Sequence, residues 1–74
     1  MTPHQFREMV DDTQFFYCEL CVNRDEKGFS YTFYGTRKNV ARVTEAIDIT
    51  NSSLSTLYEQ LPYWARKREN RYVG

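Results

Sequence analysis

Seventy-four residues, 41% hydrophobic and 16% aromatic, with ten Lys and Arg balanced by ten Asp and Glu, read as one small domain spanning 1–74. That balance argues against both a disordered tail and a multidomain enzyme, and a chain this short hides only roughly 60% of its unfolded surface. No apolar run nears the roughly 18 residues of a membrane span and Met1–Met9 has no apolar signal core, so the expectation is a cytoplasmic protein with no membrane partner.

Thr2 is a good N-cap and Pro3 suits a first helical position. Phe6, Met9 and Val10 follow at helical spacing, which predicts a short helix ending near Asp11 or Asp12. Residues 14–22 and 29–35 are dense in aromatic and branched side chains and alternate with a period of two, as strands do. On the first, Phe16, Cys18, Leu20 and Val22 share a face, and Phe15, Tyr17, Glu19 and Cys21 share the other. On the second, Phe29, Tyr31 and Phe33 alternate with Ser30, Thr32 and Tyr34. The polar run Asn23–Gly28 between them predicts an antiparallel hairpin. Cys18 and Cys21, three apart on a strand, should face opposite sides, which predicts two free thiols, no disulfide and no zinc.

Val40–Ile49 fits either of two patterns. As a helix capped by Thr36 it lines up Val40, Val43 and Ile47; as a strand it alternates Ala41, Val43, Ile47 and Ile49 with more polar residues. Its many branched side chains favour the strand, with Gly35–Asn39 as a second hairpin loop. Asn51–Ser55 then offers caps for a last helix carrying Leu54, Leu57, Tyr58 and Leu61 on one stripe. Pro62 kinks or restarts that helix, Trp64 and Ala65 extend the stripe, and Arg66–Arg71 end it with cations. The expected fold is α+β: a small single domain in which an antiparallel β-hairpin or three-stranded meander packs against a short N-terminal helix and a C-terminal helix. Glu45–Leu61 also resembles a helix-turn-helix at its Ser55-Thr56-Leu57 end, with Asn51 where that motif turns on Gly. Asp48 and Ser52 depart from the motif's apolar positions; the resemblance would imply a helix pair on DNA.

Catalytic chemistry finds little support. His4 is the only histidine, the adjacent carboxylates Asp11-Asp12 and Asp25-Glu26 suit solvated charge, and three glycines make no phosphate loop. The expectation is a protein that is not an enzyme and uses no cofactor or metal. Charge is polarised along the chain: residues 1–26 carry six acidic and two basic side chains, residues 63–74 four basic and one acidic. The tail Tyr63–Tyr72 interleaves aromatics with cations, and Trp64, Arg68 and Tyr72 would share a helical face with Arg71 alongside. That pattern suits base stacking and phosphate contacts, which makes nucleic acid one expected partner. The other is a protein, since a sheet with bulky groups on both faces and helices for one leaves Phe15, Tyr17 and Tyr34 uncovered. The favoured reading is a small binding protein that docks on a protein partner and modulates or inhibits it, a regulator of the kind phages carry as accessory proteins. Its expected partner-binding residues are Phe15, Tyr17, Tyr34, Trp64, Arg66, Lys67, Arg68 and Arg71, with homodimer formation through a strand edge or the aromatic face as a further expectation.

Overall fold

The computed structural model describes residues 1–38 and 45–67. Helix α1 spans Pro3–Met9, and a three-stranded sheet follows from β1 (Phe15–Asp25), β2 (Gly28–Arg37) and β3 (Ala46–Asn51). Helix α2 spans Leu54–Gln60, and 3₁₀ turns lie at Asp12–Gln14 and Tyr63–Ala65.

Helix α1 starts where the sequence predicts. The Thr2 hydroxyl accepts from the Gln5 amide at 3.1 Å, and the Gln5 side-chain oxygen accepts from the Thr2 amide at 2.9 Å. This reciprocal capping box satisfies two amides that the first turn cannot pair internally. The helix buries only Phe6 completely.

The strands run in the order β1-β2-β3, antiparallel throughout. The β1–β2 turn is tighter than the expected Asn23–Gly28 loop: Asp25 pairs with Gly28, leaving Glu26 and Lys27 as the loop. Gly28 takes a φ of 130°, which a side chain would resist, and Asp25 accepts from the Lys27 amide at 2.9 Å. Strand β2 continues through Gly35 to Arg37, so Gly35-Thr36-Arg37 is strand and not the start of a second loop. Thr36 therefore caps no helix. Strand β3 pairs Ile47 with Gly35 and Ile49 with Phe33, which settles the branched segment as strand over 46–51. Val40, Ala41 and Val43 lie outside the described residues. Because Ala46–Asn51 is a strand, the first half of a helix-turn-helix does not exist here.

Helix α2 is capped by Ser53, whose hydroxyl accepts from the Thr56 amide at 3.3 Å. It does not continue toward Arg71 as one stripe. Pro62 holds Leu61 extended, the chain makes one 3₁₀ turn, and Arg66 then forms an antiparallel bridge with Val10. The Lys67 amide donates to Met9 at 2.8 Å and the Asp11 amide to Ala65 at 2.9 Å, so this segment is stitched to the end of α1.

The helices and turns cover one face of the sheet. Phe6, Phe33 and Leu57 are fully enclosed, joined by Val10, Phe15, Ile47, Leu54, Leu61 and Ala65. Phe6 lies 5.8 Å from both Phe33 and Tyr58, and Phe15 packs edge-on to Phe33 at 5.7 Å. Tilted and edge contacts of this kind suit the ring quadrupole. Tyr58 ties α2 to α1 by donating its hydroxyl to the Met9 carbonyl at 3.0 Å.

Candidate functional site

The face of the sheet away from the helices carries Tyr17, Glu19 and Cys21 from β1, Thr32 and Tyr34 from β2, and Asp48 and Thr50 from β3. Alternation puts them there once Cys18, Leu20 and Phe33 are turned to the core. Tyr17 is 53% exposed and Tyr34 is half-buried, and their rings lie 6.3 Å apart. The Tyr17 hydroxyl donates to Glu19 at 2.6 Å. Tyr34 is flanked across the strands by Glu19 on one side and Asp48 on the other. Further along, the Thr32 and Thr50 hydroxyls bond at 2.8 Å, and the Asn23 amide donates to Thr32 at 2.8 Å.

The Glu19 carboxylate bears on two titrating groups of this face. Its hydrogen bond to Tyr17, more than burial or charge, pushes the phenol above its ordinary value. The Cys21 thiol is pushed up by desolvation first and by Glu19 second. On the covered face Cys18 is also pushed up by desolvation, with Asp12 adding to the shift and Arg7 opposing it. The two thiols stand on opposite faces, Cys18 opposite Gly35 and Cys21 opposite Thr32.

Phe15 does not belong to this surface. It is 5% exposed and part of the core. A β-bulge is responsible: Phe15 pairs with Arg37 and Tyr17 with Thr36, so Phe16 is an extra residue and the alternation slips by one. The slip turns Phe15 inward over Gly35, where an added Cβ would stand 2.8 Å from two atoms of the Phe15 ring. It also leaves Phe16 exposed, although strict alternation assigns it to the core face.

The predicted tail residues lie elsewhere. Trp64 is half-buried against Phe15 at 5.3 Å, with the Arg37 guanidinium 4.2 Å over its ring. Its ring thus packs within the fold, with a cation already on its face. Arg66 is held by its bridge to Val10, its guanidinium 5.7 Å from the Tyr58 ring, and Lys67 is exposed. Arg68, Arg71 and Tyr72 lie outside the described residues. The structure thus brings Tyr17 and Tyr34 together and separates them from Trp64, Arg66 and Lys67.

Val22 and Phe29 are exposed, which alternation alone does not predict. Their alternation places them correctly on the core side, but β1 has eleven residues and each helix seven. At about 3.4 Å per strand residue and 1.5 Å per helix residue, the hairpin outruns its cover. The signal was present in the element lengths. His4 sits on the exposed surface of α1, 3.0 Å from Glu8. Among the described residues no three His, Cys, Asp or Glu side chains gather as a metal site requires, and no helix is long and apolar enough to cross a membrane. Comparison with family models, with curated proteins and with solved structures gives no match.

Proposed function

We propose that this protein is a non-enzymatic docking module that binds a protein partner through the uncovered sheet face, with Tyr17 and Tyr34 as anchors, and modulates that partner by occupying its surface. The observation that carries this reading is the pair of adjacent tyrosines on a face that none of the described helices covers. Tyr anchors interfaces at low entropic cost, because a large amphipathic ring is fixed by two torsions. Here the bond to Glu19 already orients one ring. The surrounding Thr and Asn groups supply a polar rim. Glu19 and Asp48 flank Tyr34 with negative charge, which favours a basic protein surface over the phosphates of nucleic acid.

The test is a capture experiment on the intact chain, with Tyr17→Ala and Tyr34→Ala beside the wild type. A partner retained by the wild type and lost by both variants, at unchanged melting temperature, supports the reading. Loss of fold in the variants would make these tyrosines structural instead. A sub-micromolar, salt-sensitive complex with an oligonucleotide would replace the protein partner with nucleic acid.

A further inference from the structure

β1 and β3 form the two edges of the sheet, and they are defended unequally. β3 is only six residues long. β1 is eleven residues long, and its stretch Tyr17–Asp25, between the bulge and the turn, pairs with β2 without a break. That stretch contains neither Pro nor Lys, the residues that most often block an edge.

The direction of its backbone groups follows from one bond. The Arg37 amide donates to the Glu45 carbonyl on the β3 side at 2.7 Å. Odd-numbered residues of β2 therefore turn their amides toward β3, and even-numbered ones toward β1. Through the β1–β2 register, Glu19, Cys21, Asn23 and Asp25 bond to β2, while the N–H and C=O of Cys18, Leu20, Val22 and Arg24 point outward. Among the described residues no backbone group meets them.

The same edge borders a groove of about 380 Å³ on the covered side, lined by Val10, Cys18, Leu20 and Phe33, with Arg7 and Asp12 among its lining residues. Just beyond it Val22 is 55% exposed and Phe29 51%.

We propose that a second copy of this chain pairs antiparallel with β1, edge to edge, about a two-fold axis perpendicular to the sheet. Two three-stranded sheets then become one. The strand's own length fixes the register, because pairing Tyr17–Asp25 with itself end to end places Cys21 at the centre. Leu20 then bonds the second copy's Val22, and Cys18 bonds the second copy's Arg24, using the backbone groups β2 leaves free. The exposed Val22 covers Leu20 beside the groove. Arg24 lies across from Cys18 on the covered side, where Asp12 also lines the groove. Moving the centre to Val22 would oppose Glu19 and Asp25, and moving it to Leu20 would set Arg24 against the bulged Phe16. The pairing uses backbone groups of Cys18, Leu20, Val22 and Arg24 and not the Tyr17 and Tyr34 rings, so the inference does not rest on the docking reading.

Light scattering on the full chain at about 100 µM, a concentration that populates even a micromolar dimer, is expected to give a dimer. Val22→Lys, at an exposed position, is expected to give a monomer with unchanged circular dichroism, whereas Thr50→Lys on β3 keeps the dimer. The register is read by adding a thiol oxidant. The Cys21 pair is a non-hydrogen-bonded one with Cα atoms about 4.5 Å apart, inside the disulfide range of roughly 4.4–6.8 Å. Two Cys18 residues would stand roughly 20 Å apart. Cys18→Ser is therefore expected to cross-link as wild type does, and Cys21→Ser not to. A wild-type monomer, a dimer that survives Val22→Lys, or cross-linking that requires Cys18 overturns the proposal.

Discussion

Phe33 and Tyr34 are adjacent aromatics in β2, yet they meet different surroundings. Phe33 is 2% exposed, with Phe6 and Phe15 on its ring. Tyr34 points the other way and meets Tyr17 beside two carboxylates. The pleat makes this difference, not the chemistry of the side chains. The described helices lie on one face of the sheet only. Residues on the covered face hold the fold, while their equals on the other face pack against none of the described helices.

Truncation should separate the two faces most sharply. Phe33→Ala is expected to cost about 3–5 kcal/mol in denaturant unfolding. That is a large share of the roughly 4–11 kcal/mol available to a chain of this length. Tyr34→Ala should cost less than about 1 kcal/mol by the same measurement, as surface changes do. Equal losses at the two positions would end the distinction between the faces.

Tyr17→Ala and Tyr34→Ala should each weaken partner binding by about 2 kcal/mol, near thirtyfold in Kd by titration calorimetry, with the fold intact. Gly35→Ala sharpens the comparison from the covered side. The new Cβ meets the Phe15 ring at 2.8 Å, so the ring must shift, at a cost of about 1–3 kcal/mol in thermal unfolding. Thr36→Ala, one residue along on the opposite face, should be nearly neutral.

Away from both faces, Thr2→Ala removes the side chain that caps α1. A loss of about 1 kcal/mol is expected, read by chemical denaturation.

The smallest effect is a titration. Glu19 holds Tyr17 in its neutral, donating form, so the Tyr17 phenol is raised above its ordinary value. Its contribution to stability is complete below the ordinary tyrosine range and fades as pH rises through the raised value. Ultraviolet difference absorbance against Tyr17→Phe should show late ionisation, and Glu19→Gln should bring it earlier. No change on Glu19→Gln would mean that the hydrogen bond does not set the titration.

Several features were legible because they depend on neighbours in sequence. Thr2-Pro3 and Gln5 specify the start of α1 through contacts within one turn. Alternation placed Cys18 and Cys21 on opposite faces, and Tyr17 and Tyr34 on the same one. Branched residues marked β3, although its bounds and the true end of β2 at Arg37 depended on pairing across strands.

Other features were decided by contacts between residues far apart in the chain. Phe15 turns inward because a bulge at Phe16 coincides with a glycine twenty residues away, and periodicity within β1 carries no trace of Gly35. Pro62 announces a break, but only the bridge from Arg66 to Val10 determines that the chain returns to α1. Trp64 looked free to stack on a ligand until Phe15 and Arg37 closed on it. Which side chains alternate and where elements begin was readable along the chain, since both follow from local backbone geometry. Tertiary structure decided which of the alternating faces is covered and how far the cover reaches, since burial is a property of what arrives from elsewhere in the chain.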